Sequence, residues 1–312
     1  MSIIRTKKPA QNLLYLQIPQ SILAMKYNLL LLLLFNVAIG ARAQNQEAKS
    51  TVETKTIHSK ILNADRAYTI YLPKDYVHNP QKKYPILYIL HGLSGVNTTW
   101  FEKYDVREVQ DQLAASGESV DMIIVSPNAG GDPKTEWNGY FDMPGWNYEQ
   151  FFYKEFVPHI ESTYRVIGDK QNRAIAGLSM GGGGSTSYGQ RHADMYSSVY
   201  AMSALMSMPD NSTPPKEENK FTLLSQSVIE NSCVDYVINA TEKQKEELRT
   251  VKWFVDCGDD DFLLDTNIDF FRAMRKANIP VEFRIRDGAH DALYWHSALY
   301  YCLPFVSRNF KQ

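Results

Sequence analysis

In Gly177-Leu178-Ser179-Met180-Gly181 a serine stands between two glycines, each two residues away. A serine hydroxyl is a weak nucleophile until a neighbouring base takes its proton; it can then attack acyl carbonyls through a covalent intermediate. The G-x-S-x-G spacing suits that use at a sharp strand-to-helix turn, where the hydroxyl is held exposed and the neighbours must be small. Both flanks fit. The short apolar run 173–176 precedes the motif, and Gly181 to Gly184 follow it, small enough for a helix to pack closely on a sheet. The helix start would also turn N–H groups and a positive dipole end towards the hydroxyl. As bare letters the motif is common; in this setting it makes Ser179 the candidate nucleophile.

A serine needs a base, and the base an orienting acid; on such a turn the chain order is nucleophile, acid, base. The histidines after Ser179 are His192, His290 and His296. His192 ends the nucleophile's own helix, too early to come from a separate strand end. His290, in Asp287-Gly288-Ala289-His290-Asp291, directly follows the last apolar run, where a loop can return an imidazole to the serine. His296 opens the C-terminal helical pattern and reads as a packing or capping residue. The acid belongs on the preceding loop, Asp256-Cys257-Gly258-Asp259-Asp260-Asp261-Phe262-Leu263. Asp256 ends a strand, and Asp259 and Asp260 sit in the turn. Asp261 lies against apolar Phe262-Leu263, from where it can point inward, and spacing alone favours it narrowly. Asp291 adjoins the base, and adjacent side chains diverge.

Charge that develops on the carbonyl oxygen needs two backbone donors. One is the N–H of Met180. The other comes from His91-Gly92-Leu93-Ser94-Gly95, where glycine lets the backbone approach a substrate; Leu93 is the expected donor and Ser94 its alternative. His91 precedes the serine and is expected to hold this loop rather than to act as base.

The elements around these residues are legible as periodicity. Residues 51–57 and 67–72 alternate apolar and polar side chains, as in a half-exposed hairpin. Short apolar runs at 84–90, 122–125, 173–176, 198–201, 251–255 and 281–285 read as buried parallel strands. Amphipathic stretches at 106–115, 148–164, 182–191, 267–278 and 296–310 read as helices between them. This alternation predicts a mostly parallel α/β sheet with helices on both faces. Residues 206–250 break the rhythm with a polar, Pro-containing start and two helical patterns. They form an insertion before the acid-bearing strand, either a lid or wall over the site or a plain surface crossover.

The chain has 312 residues, 33 Lys+Arg against 35 Asp+Glu, a net charge of −2 and 44% hydrophobic residues. That excludes a disordered, collagen-like or polytopic membrane chain and gives no electrostatic reason to expect nucleic acid. Lys26, the apolar stretch 29–39 and Ala41-Arg42-Ala43 have the three parts of a secretory signal, too short for a comfortable membrane span. Cleavage is expected after Ala43. Residues 1–43 then form an extension and signal, with Met25-Lys26 the more usual start, and 44–312 form one exported domain with no stable membrane insertion. Export makes one disulfide possible among Cys233, Cys257 and Cys302, leaving one thiol free.

Together these residues resemble the esterase D-like branch of the α/β-hydrolases. Within it the chain is most similar to carbohydrate esterase family one, the feruloyl and acetylxylan esterases. The resemblance runs from about Tyr84 to the C-terminus. It is carried by the 90–95 loop, Pro127-Asn128, Val157-Pro158-His159-Ile160-Glu161-Ser162-Thr163-Tyr164, and most specifically by 173–183. Cys257-Gly258-x-x-Asp261-x-Leu263 looks like the family's acid loop, and Gly288-x-His290-Asp291 with Trp295 looks like its histidine loop. The resemblance implies an α/β-hydrolase fold, a Ser179–His290–Asp261 triad, and oxyanion donors from Leu93 and Met180.

One segment departs from the family. Residues 130–147, with Trp137, Tyr140, Phe141 and Trp146, look longer than usual and could stack on a sugar or cinnamoyl ring, or simply pin the loop. Trp137, Trp146 and Trp295 are the candidate substrate contacts. The expectation is therefore a secreted or periplasmic serine esterase that removes feruloyl or acetyl groups from plant cell-wall polysaccharide such as xylan, without metal or organic cofactor. A siderophore or small-acyl esterase and a non-catalytic carbohydrate-binding relative are the alternatives. Sequence does not specify acyl preference or oligomeric state.

Overall fold

The computed structural model describes residues 49–132, 135–208 and 219–311. The expected signal, its junction at Gln44 and residues 209–218 of the insertion lie outside these. The strands are β1 (Thr51–Ser59), β2 (Ala64–Leu72), β3 (Ile86–Leu90), β4 (Ile123–Pro127), the two-residue pair β5 (Asp142–Met143) and β6 (Trp146–Asn147), β7 (Arg173–Leu178), β8 (Ser198–Met202), β9 (Lys252–Gly258) and β10 (Glu282–Arg286). The helices are α1 (Thr99–Glu102), α2 (Val106–Ser116), α3 (Tyr148–Phe151), α4 (Val157–Thr163), α5 (Met180–Arg191), α6 (Lys220–Glu230), α7 (Cys233–Ile238), α8 (Glu242–Arg249), α9 (Leu264–Lys276) and α10 (Ala292–Arg308).

Among the described residues, eight strands form one sheet in the order β1-β2-β4-β3-β7-β8-β9-β10. The β1–β2 and β2–β4 pairings are antiparallel and the others parallel. Strands β3, β4 and β7 are buried on both faces, as their unbroken runs predict for parallel strands under helices. Alternate residues feed two cores. Ile175 packs in one core with Tyr188, Phe152 and Phe270; Ala174 and Ala176 pack in the other with Val109, Leu299 and Leu303. The structure is an α/β-hydrolase fold.

Register does the positioning. Leu90 lies opposite Gly177, Leu178 opposite Met202, Met202 opposite Asp256, and Gly258 opposite Arg286. The C-terminal ends of β3, β7, β9 and β10 therefore open at one sheet edge, where open α/β folds bind ligands.

Three details differ from expectation. The helix expected over 148–164 is broken by a π turn at Phe152–Phe156, whose extra residue lets both Phe151 and Phe152 reach the core beside Phe156. Pro158, at the start of α4, lacks the N–H that an unbroken ladder would use. The insertion holds three helices, α6 to α8, rather than two. Cys233, Cys257 and Cys302 are all free and buried, in α7, β9 and α10, so no pair forms among them. No helix among the described residues is long and apolar enough to cross a membrane.

Candidate active site

Ser179 turns the chain from β7 into α5 with φ 52° and ψ −120°, a conformation that costs energy in any residue with a side chain. The backbone around it is fully engaged. Its N–H donates to Met202 O at 2.9 Å, and its carbonyl accepts from Gly183 N at 3.0 Å and Leu205 N at 2.9 Å. A Cβ on Gly177 would lie 2.2 Å from Gly181 O, and one on Gly181 would lie 2.3 Å from Leu90 O. Both motif glycines are thus required by backbone contact.

His290, from the loop after β10, accepts the Ser179 hydroxyl at Nε2, at 2.9 Å. Its Nδ1–H donates to the Asp261 carboxylate at 3.0 and 2.9 Å. That pairing sets the tautomer: the nitrogen facing the carboxylate carries the proton, and the one facing serine is free to take one. Asp261 Oδ1 also accepts from Leu263 N at 2.8 Å. Burial alone would raise the Asp261 carboxyl, but the hydrogen bonds from His290 and Leu263 outweigh it and hold it below the usual range.

The other acids and histidines are engaged elsewhere. Asp256 is fully buried and accepts from Tyr200 Oη at 2.7 Å, from Tyr294 Oη, and from Arg286 Nε at 3.1 Å. Asp259 accepts from Gly288 N at 3.0 Å, and Asp260 is exposed. Asp291 caps α10 by accepting from Tyr294 N at 2.9 Å. His192 pairs with Glu149, and His296, in the second turn of α10, contacts Tyr104 O. Of the acids in the loop after β9, only Asp261 reaches His290.

His91 is fully buried in the loop after β3. Its Nδ1–H donates to Gly92 O at 2.8 Å, and Nε2 accepts from Ala129 N at 3.0 Å. Tyr140 Oη donates to His91 O at 2.9 Å. Burial lowers the His91 pKa from 6.5 to about 4, so it stays neutral and pins the loop. The following turn is closed by Gly95 N–H to Gly92 O at 3.0 Å. Met180 is the first residue of α5, where an N–H has no intrahelical acceptor. Leu93, Ser179 and Met180 line one cavity together.

Two cavities meet at Ser179. One, of about 270 Å³, is almost wholly apolar and is walled by Met180, Leu205, Met208, Leu224, Val228 and Leu263. Three of these walls, Met208, Leu224 and Val228, come from the inserted segment, so α6 faces the site. The second cavity, of about 510 Å³, is more polar and includes Ser94, Thr99, Lys103, Tyr104, His290 and Trp295. Leu93 and Phe262 border both. Phe262 is 68% exposed, and its ring centre lies 4.6 Å from that of His290.

Of the three tryptophans, only Trp295 is at the site. It meets the His290 ring edge-to-face at 4.9 Å and 88°. The structure does not bring Trp137 and Trp146 to either cavity. Trp146 is buried, stacked between Trp137 at 6.2 Å and Tyr148 at 5.7 Å, with Arg66 over its ring. These rings pack on one another and join residues 137 and 146 to Tyr148. The wall from α6 is the lid-or-wall alternative expected of residues 206–250, whereas Phe262 and Lys103 were not singled out as site residues by sequence. Among the described residues, no cluster of three or more His, Cys, Asp or Glu side chains is arranged to hold a metal ion.

Comparison with known proteins follows the same lines. The family model described as "Putative esterase" matches residues 59–306. A solved "ferulic acid esterase" is 62% identical, with a TM-score of 0.82, over 84% of this chain and 99% of that one. An "Endo-1,4-beta-xylanase/feruloyl esterase" from Xylanibacter ruminicola is 26% identical over 80% of this chain, which spans 30% of that protein's length. An "Acetyl esterase" from Caldicellulosiruptor saccharolyticus is 24% identical over 80% of this chain and 96% of its own. A strained serine at a sheet edge, between an apolar and a polar cavity, is thus found in a chain that belongs to this esterase family, a carboxylic ester hydrolase of the α/β-hydrolase fold.

Proposed function

We propose that the protein is exported and that Ser179, His290 and Asp261 hydrolyse esters of aromatic acids, feruloyl groups above all, on plant cell-wall polysaccharide such as xylan. The observation that carries this reading is the pair of unlike cavities at Ser179. The apolar one suits a planar aromatic acyl group, and the polar one suits a sugar alcohol. The 62%-identical ferulic acid esterase and the xylanase-linked relative support the substrate class. Lys26, the apolar 29–39 stretch and Ala41-Arg42-Ala43 support export.

His290 Nε2 takes the Ser179 proton as Oγ attacks the ester carbonyl. The Leu93 and Met180 N–H groups hold the oxyanion, and Asp261 stabilises the imidazolium. His290 then gives its proton to the departing alkoxide oxygen, leaving an acyl-serine. Water, deprotonated by His290, attacks that acyl group, and the acid leaves as Ser179 regains its proton.

The test is caffeate or ferulate release from the methyl esters, compared with hydrolysis of 4-nitrophenyl acetate. Strong release of the aromatic acid is expected. Ser179→Ala should lower kcat by about 10⁶-fold with the fold intact; retained turnover overturns the assignment. Hydrolysis of acetyl esters alone would keep the triad and favour removal of acetyl groups instead, which the acetyl esterase relative supports.

A further inference from the structure

We infer that the polar cavity selects alcohols that carry negative charge, and that Lys103 is the selecting residue. This rests on the proposed ester hydrolysis at Ser179.

His290 faces the polar cavity and not the apolar one. The group that protonates the departing alcohol must be within hydrogen-bond reach of it. The alcohol therefore leaves through the polar cavity, and the acyl group occupies the apolar one. Among the residues lining the polar cavity, Lys103 alone carries a formal charge on an amine or carboxylate; no carboxylate lines it. Lys103 follows α1 and is exposed, with its ammonium 5.6 Å from the Tyr104 ring centre.

No described carboxylate pairs with it directly. Glu102 accepts from the Thr98 hydroxyl at 2.9 Å, and Asp105 lies 3.6 Å from His296. Lys103 forms no ion pair with any described residue, unlike Lys82, which holds two carboxylates at 2.8 and 3.2 Å. An ammonium that lines a cavity without a carboxylate in the same lining raises the local concentration of anions there and repels cations. The alcohol it favours is a carboxylate-bearing one, such as a sugar carrying a uronic acid or a small hydroxy acid. The selection acts on the leaving group.

The test uses caffeoylquinate, whose alcohol bears a carboxylate, and its carboxyl methyl ester, a neutral isostere. Caffeate release is followed for both, with methyl caffeate as reference. The ratio of kcat/KM for the anionic over the neutral quinate ester should be about three to five at low salt. It should fall towards one in Lys103→Met, persist in Lys103→Arg and invert in Lys103→Glu. Raising salt from about 0.01 M to about 1 M shortens the Debye length from about 30 Å to about 3 Å and should shrink the wild-type ratio. A wild-type ratio at or below one, or a ratio that Lys103→Met leaves unchanged, overturns the inference. So does cleavage of methyl caffeate with neither quinate ester. Release of caffeate from none of the three overturns the aromatic-acyl reading as well.

Discussion

Two aromatic side chains pack on the base of the site. Trp295 meets the His290 ring edge-to-face at 4.9 Å, and the Phe262 ring lies 4.6 Å from it. Trp295 is itself held by Tyr104 at 5.6 Å. Trp295→Leu should lower kcat by about 10- to 100-fold with a smaller change in KM, because a base displaced by about 1 Å loses its reach; steady-state kinetics on methyl ferulate checks this. His91 makes a prediction about pH. The folded protein holds it neutral down to about pH 4, whereas the unfolded chain protonates it near 6.5. Between these values the unfolded state binds more protons, so stability rises with pH. The contribution is complete above about pH 6.5 and is lost as pH falls towards 4, by up to about 3 kcal/mol. Urea midpoints measured across that range should drop for wild type and vary less for His91→Gln, which starts lower because it loses the Gly92 and Ala129 bonds.

At the scale of elements, α6 and the β9–β10 edge do separate jobs. Helix α6 walls the apolar cavity with Leu224 and Val228. Val228→Trp should fill that space and lower the turnover of methyl ferulate relative to 4-nitrophenyl acetate by at least about tenfold, a loss equal to about 1.4 kcal/mol; side-by-side assays check the ratio. Beneath the acid and base loops, Asp256 joins β9 to β10 through Arg286 and to α10 through Tyr294. Asp256→Ala leaves Arg286 partly buried without its carboxylate and two tyrosine hydroxyls without an acceptor. It should cost about 3–5 kcal/mol in denaturant unfolding.

For the molecule as a whole, the sheet register is what assembles the site: four strand ends align, so four loops far apart in sequence share one edge. The three cysteines add no cross-link. Burial pushes each thiol's pKa up, making it a poor nucleophile in the folded state. Thermal unfolding should be the same with and without dithiothreitol, and a thiol reagent should count three reactive sulfurs only after denaturation. Element types were largely legible because buried parallel strands and amphipathic helices have different periods. The π turn at Phe152–Phe156 was not, because its apolar spacing also fits an ordinary helix.

Local chemistry determined much of the site in advance. A strained serine turn permits only small neighbours, so Gly177 and Gly181 marked Ser179; His290 was marked by its place after the last strand. Among four clustered acids, spacing favoured Asp261 only narrowly, because which carboxylate turns inward depends on partners from other elements. The tertiary structure turned Asp256 to Arg286 and two tyrosines, and Asp261 to His290. It likewise folded Trp146 and Trp137 against each other and raised α6, Phe262 and Lys103 around the serine. Periodicity records which face of an element is buried. It does not record which element comes to lie against which, and the shape and charge of a cavity are set by that meeting.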